Sequence, residues 1–280
     1  MATWTNIHNL PGPLASAIRA DGYRKRGDIS ATGLIRPPQM AELERIHDHE
    51  IVQDVADGVW RLLGQSVHAI LERADTAHHL SEEALEAEVL GWKVTGRPDL
   101  LDQQGTLSDY KVTSTWSYIH SDKPEWEQQL NIYAWLYRKI GFQVKKLQIV
   151  AILRDWQSSK AGEEGYPPAA AVTIDVPLWG EKEQQAFVED RVRLHQAKDK
   201  AECSAKERWE RPTTYAVRKV GNVRAKRVFR DKAEADAFLA ESGKGFEIEE
   251  RPGEQIRCAR YCTVSKWCPQ AKALGVQSDG

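Results

Sequence analysis

Between Met40 and Ala74 the apolar residues Leu43, Ile46, Ile51, Val55, Val59, Leu62 and Leu63 recur at mixed three- and four-residue steps. That spacing gathers an apolar stripe on one helix face and predicts helix over the stretch, with Gly64 as a candidate break into two helices. A further helix is expected near 81–87. Residues 1–40, rich in Gly, Pro and Arg, read as extended or irregular, with Ser30-Ala31-Thr32 forming an N-cap or turn before Pro37-Pro38. Residues 88–101 read as strand with a bend at Gly96, Asp102 to Gly105 as a turn, and Thr106 to Val112 as the returning strand. Pro124 to Ile140 is a helix with proline in its first turn and Gly141 at its end. Leu147–Leu153 and Ala171–Val176 are apolar strands, and Lys182–Lys200 is a charged amphipathic helix.

Strands mixed with helices in this order favour an α/β or α+β layered core. Past Cys203 a smaller unit begins. Tyr215–Val220 and Arg224–Phe229 flank Gly221-Asn222 as a hairpin, Asp231–Glu241 is helical, and Phe246–Glu250 is another short strand. Three regions follow: 1–60, irregular and helical; 61–200, the core; and 201–280, a cysteine-bearing unit with a basic hairpin.

Composition changes this picture little. The chain of 280 residues, 41% hydrophobic and 29% charged, is long enough to bury a real core. A formal net charge of −2 announces no nucleic-acid partner, so a surface for one must be a local patch balanced by acid elsewhere. No apolar run reaches the length of a membrane span, and Met1 to Leu14 lacks the pattern of a signal peptide. A cytosolic protein without membrane association is expected.

Candidate chemistry centres on Gly96-Arg-Pro-Asp99 and, ten residues after Asp99, Asp109-Tyr110-Lys111. Side chains alternate along a strand, so Asp109 and Lys111 share a face while Tyr110 points away and offers its carbonyl. Pairing through the Asp102–Gly105 turn brings Asp99 near Asp109. Hard carboxylate oxygens suit Mg²⁺ or Mn²⁺, and a neighbouring lysine can position a water or take its proton. Upstream lies Gly64-Gln-Ser-Val-His68. Downstream, Gln129 and Tyr133 stand four apart on one helix face. Taken singly, each of these is more often an ordinary surface, core or amphipathic residue.

Gly-x-x-x-His, Gly-x-x-Asp, Asp-x-Lys and Gln-x-x-x-Tyr in this order resemble the RecB-type nuclease domain of the PD-(D/E)-x-K superfamily, over roughly residues 60–155. The resemblance implies a restriction-endonuclease-like core, a central mixed sheet flanked by helices. It implies His68, Asp99 and Asp109 as metal ligands with the Tyr110 carbonyl, Lys111 as the catalytic lysine, and Gln129 and Tyr133 holding that lysine or the DNA backbone. Glu88 is either an additional acid of such sites or a strand-edge charge, and Arg97 either a phosphate contact or a solvated residue.

Four cysteines, Cys203, Cys258, Cys262 and Cys268, lie in the last third. In a cytosolic chain such clustering points to metal or redox chemistry, and four thiolates suit structural zinc or an iron–sulfur centre. The spacing resembles the iron–sulfur nucleases related to AddB and to CRISPR-adaptation exonucleases, which implies a [4Fe-4S] cluster, with zinc as the alternative. It departs from them in two ways: the first two of the triplet have three residues between them rather than two, and the distant cysteine follows the nuclease motifs. Arg218, Lys219, Arg224, Lys226, Arg227 and Arg230 make the hairpin either a phosphate-tracking surface or a solvated edge. Trp116, Tyr118 and Trp126 could stack on unpaired bases or pack as core.

A metal-dependent DNA exonuclease is therefore expected, acting in DNA processing, recombination or counter-defence. With no P-loop motif in the chain, any unwinding must come from a helicase or recombination partner. The alternative is an inactive DNA-end-binding adaptor on the same fold; a third reading is a zinc-stabilised DNA-binding module.

Overall fold

In a computed structural model, residues 2–20, 26–74, 80–81, 84–119 and 123–276 are described. The chain forms two compact units: residues 1–36 with 52–200, and residues 37–51 with 201–280.

The first unit is a mixed α/β structure with helices flanking its sheets. Its central strands are β1 (Trp92–Gly96), β2 (Thr106–Thr113), β3 (Lys146–Leu153) and β4 (Ala171–Val176), and its main helices are α1 (Val59–Arg73), α2 (Pro124–Lys139) and α3 (Glu181–Gln196). One five-stranded sheet runs β4-β3-β2 and then through Leu100–Leu101 to Leu80–Ser81. β2 and β3 are parallel, with Asp109 opposite Ile149 and Lys111 opposite Ala151. The other pairs are antiparallel. Parallel pairing needs a crossover, and α2 lies in the chain between the two strands. On β3 the alternation is strict: Leu147, Ile149, Ala151 and Leu153 are buried. They meet residues 130–137 of α2, all of them buried, in one core that also takes Val188 and Val192 of α3. A smaller sheet sets β1 between Ile29–Ser30, parallel, and Leu85–Val89, antiparallel.

Several expectations are corrected here. The described part of residues 1–40 is not irregular: helices occupy Gly12–Arg19 and Ala31–Leu34, and another begins at Pro38. Ser30 does cap Ala31–Leu34, accepting from the Gly33 amide at 3.0 Å. Gly64 breaks nothing and lies inside α1. The break falls at 48–58, where the Asp54 side chain accepts from the Ala56 amide at 2.9 Å and starts a new turn. Of the helix expected near 81–87, the residues from Leu85 are strand instead, and 82–83 lie outside the described residues. Leu85–Val89 turns back into β1 through Leu90 and Gly91, both at positive φ, the geometry of a two-residue hairpin turn.

In the second unit, Thr214–Lys219 is the middle strand of a three-stranded antiparallel sheet, between Ala225–Phe229 and Phe246–Arg251. Helix Lys232–Ser242, capped by Asp231, packs on it through Ala235 and Phe238. Much of the basic hairpin is engaged. Arg218 pairs with Glu247 and Glu249 at 3.0 and 3.2 Å, while Lys226 lies over Phe246 and Arg227 over Phe229.

Candidate active site

The Asp102–Gly105 turn is built by its own residues. The Asp102 carboxylate accepts from the Thr106 amide at 2.7 Å, and Gly105 takes φ +85°. The register it sets, Leu101 opposite Leu107 and Leu100 opposite Ser108, carries Asp99 beside Asp109. Asp99 Oδ2 accepts from the Tyr110 amide at 2.7 Å, and its Oδ1 lies 3.3 Å from Nδ1 of His68 on α1. Next to it, Lys111 Nζ stands 2.6 Å from Asp109 Oδ2 and donates to Gln129 Oε1 at 3.2 Å. The Gln129 amide nitrogen donates to Asp109 Oδ1 at 3.2 Å and to Tyr133 Oη at 2.9 Å. The sequence spacing of four thus becomes one hydrogen-bonded row along α2.

Burial makes this network costly to ionise. Asp109 is 2% exposed, and burial foremost pushes its carboxyl up to about 6, against the pull of Lys111. Its Oδ2 is held by the Lys111 ammonium at 2.6 Å and by no other protein group among the described residues. A buried anionic oxygen in that state suits a cation. Hard oxygens with one imidazole are also the donor set for Mg²⁺ or Mn²⁺. As arranged, though, no three His, Cys, Asp or Glu side chains among the described residues converge into a ready ligand cage. Each acid already has its own partner, Lys111 for Asp109 and His68 for Asp99.

Gly96 explains how α2 comes so close. A Cβ there would lie 2.6 Å from Leu136 Cδ1 and 2.9 Å from the Tyr133 ring, so any larger residue would push the helix away from the acids. Asn131, which the sequence reading missed, anchors the same helix. Wholly buried, it donates to the Glu127 and Pro177 carbonyls and accepts from Trp179 N and Gln184 Nε2. The signal was available: it is a polar residue between Gln129 and Tyr133 on a helix buried all round.

A sequence profile described as the PD-(D/E)XK nuclease superfamily matches residues 36–269. The chain belongs to that superfamily. No curated protein matches it. Among solved structures, this nuclease is similar to SSO0001 (22% identity, 66% of this chain and 85% of that one, TM-score 0.44). It is also similar to LHK-Exo in complex with dAMP (13%, 64% and 89%, TM-score 0.35). A third is a phage-related exonuclease from Haemophilus somnus 129PT (14%, 67% and 81%, TM-score 0.30).

Other expected residues of this nuclease chain fall as follows. Glu88 is exposed, on the strand face opposite buried Leu85 and Val89, and sits across from Lys93. Arg97 pairs with Glu72 at 3.1 Å. Tyr118 and Trp126 pack against the core, whereas Trp116 is 52% exposed with Lys123 over its ring. No helix among the described residues is long and apolar enough to cross a membrane.

In the second unit the four cysteines line a single cavity with Pro37, Leu43 and Val264, all four as free thiols. Gln270 fastens the distant one: its side-chain amide accepts from the Cys203 N–H and donates to the Cys203 carbonyl, each at 2.9 Å. Burial pushes Cys203 up to about 12, and Glu207 and the other three cysteines add to this. Thiolates are the donors a soft metal takes, but as arranged no three of the cysteines converge into a ligand set.

Proposed function

We propose that this chain is a divalent-metal-dependent deoxyribonuclease of RecB-like type, acting as an exonuclease. The observation that carries the reading is the Asp109–Lys111–Gln129–Tyr133 network with the Asp99–His68 pair beside it. Asp99, Asp109, His68 and the Tyr110 carbonyl are the groups that would hold Mg²⁺ or Mn²⁺. Such an ion supplies positive charge to a scissile phosphate and eases deprotonation of water. Lys111 positions the attacking water and stabilises charge on the phosphate oxygens. Gln129 fixes the Lys111 ammonium through Oε1, and Tyr133 fixes the Gln129 amide, so neither side chain needs to reorganise as charge develops. The cleaved bond is the P–O bond, with water adding to phosphorus and the displaced sugar oxygen leaving with a proton.

The cysteine cavity holds a [4Fe-4S] cluster in this reading, with zinc as the alternative. The brown colour and visible absorption of anaerobically purified protein separate the two. DNA processing, recombination or counter-defence is the setting, with a helicase or recombination partner supplying any unwinding.

The test is cleavage of linear and circular DNA, single- and double-stranded, in Mg²⁺, Mn²⁺ or EDTA, by wild type and Lys111→Ala. Metal-dependent loss of linear DNA alone, abolished by Lys111→Ala, is the expected result. Cleavage of closed circles removes the exonuclease assignment. One observation favours a second reading, a DNA-end-binding adaptor: each acid already has a protein partner, Lys111 for Asp109 and His68 for Asp99. DNA binding without cleavage in any metal would establish it.

A further inference from the structure

Helix α1 presents residues to solvent that the fold does not use. Trp60 is 59% exposed, and the Arg154 guanidinium lies over its ring at 4.4 Å. Along the same helix Gly64 and His68 follow at steps of four, so Trp60, Gly64 and His68 lie on one face. A Cβ at Gly64 would meet nothing within 4 Å. Unlike Gly96, this glycine is not required by packing inside the protein, and it costs helix stability. Its effect is to bare the helix backbone midway between an exposed tryptophan and the histidine beside Asp99.

The other half of the pair is tied to the catalytic strand. The Arg154 amide donates to the Thr113 carbonyl at 2.9 Å, and Thr113 lies two residues beyond Lys111 on the same strand. The adjacent acid, Asp155, is taken up by the Thr115 amide at 2.7 Å. Two elements that carry candidate catalytic residues thus each continue, by about 12 Å on the helix and about 7 Å on the strand, to side chains that stack on each other.

We propose that the face of α1 from Trp60 past Gly64 to His68, with Arg154, is a docking track for single-stranded DNA in which an unpaired base stacks on Trp60. The proposal rests on the nuclease reading above and gives its site a substrate form. An aromatic ring with a cation on one face and solvent around the rest is the element by which unpaired bases are held without regard to sequence. Arg154 supplies charge for the adjoining phosphate, and the bared backbone at Gly64 lets the strand run close to the helix toward Asp99. Duplex DNA, whose bases are stacked internally, gains nothing from Trp60.

The experiment uses the full chain in EDTA at fixed low salt, with fluorescence anisotropy of a labelled oligothymidylate of about a dozen nucleotides, an abasic chain of equal length, and a duplex. Trp60→Ala is expected to weaken oligothymidylate binding on the order of tenfold and leave the abasic chain unchanged, with Trp60→Phe keeping most of the affinity. Gly64→Leu is expected to raise the melting temperature and still weaken binding of both single strands, which excludes misfolding as the cause. Unchanged oligothymidylate affinity in Trp60→Ala, equal losses on oligothymidylate and abasic chain, or a Trp60-dependent dimer in sedimentation would each overturn the track. Cleavage by the wild type is scored separately. A protein that cleaves with normal Trp60→Ala binding loses only the track, and one that binds bases through Trp60 but never cleaves loses only the nuclease reading.

Discussion

The carboxylate–lysine network and the thiol cavity are both gatherings of groups that repel one another when ionised, and they meet the problem differently. The first carries its own cation: Lys111 sits 2.6 Å from Asp109, and Gln129 bonds to both. In the second, Arg208 and Arg257 line the cavity and pull on Cys258 only weakly against its burial. Burial foremost pushes the Cys203, Cys258 and Cys262 thiols up, and Gln270 fastens the backbone at Cys203. A network that neutralises itself can be preorganised before any metal arrives. A ring of thiols becomes a ligand set only when a metal draws the protons off.

The sharpest way to break that contrast is to remove the internal cation. Lys111→Ala is expected to lower cleavage by about 10²–10⁴-fold and to destabilise the chain, because Asp109 is left buried beside nothing positive. Adding Asp109→Asn should restore the melting temperature without restoring cleavage. If the single variant melts like wild type, Lys111 is not balancing a buried charge.

Next is Cys262→Ser. It should strip bound metal, seen as loss of visible absorption and of metal content, and lower the melting transition by roughly 10 °C. An unshifted transition would mean that the cavity is not metal-stabilised. Smaller is Gly96→Ala, expected to cost about 1–3 kcal/mol by pushing Tyr133 and Leu136 outward, measured by urea denaturation. Cleavage should fall with it, because Tyr133 orients Gln129.

The smallest effect is a pH dependence that belongs to neither site. Burial foremost lowers the pKa of His195 below its ordinary 6.5, and its ring lies 3.2 Å from the Leu34 carbonyl. The folded state then resists a proton that the unfolded state accepts. Stability from this group is full above about 6.5 and is lost as pH falls. His195→Gln should flatten that part of a melting-temperature curve taken in EDTA, and an unaltered slope would remove His195 as its source.

The contrast also shows what could be read from sequence. Asp99 beside Asp109, Lys111 on the Asp109 face, and Gln129 with Tyr133 on one helix face all follow from local periodicities of two and four. The tight Asp102–Gly105 turn then fixes the strand register. The thiol cavity was legible as four cysteines, but not the Gln270 clamp on Cys203, whose partners lie 67 residues apart. Other misses share that long range. Asp54, which ends the helical stretch of 40–74 early, is held by Thr5 and the Ile7 amide at 2.7 and 2.9 Å. A single glycine at 64, by contrast, costs only about 1 kcal/mol in a helix and does not break one. Leu85–Val89 has helix-favouring Glu and Ala, yet pairing with β1 overrides them. Its turn at Leu90-Gly91 lacks the asparagine or aspartate that would have signalled it.

Residues 37–51 fold with 201–280, while everything between them belongs to the other unit. During synthesis the helix Pro38–His47 therefore leaves the ribosome long before its partners exist. At about 5–20 residues per second it waits about ten to thirty seconds, with Met40 and Leu43, which will line the thiol cavity, still without their partners. The nuclease unit can close around itself in that interval. The thiol cavity, which needs residues 258–268, can form only after that wait.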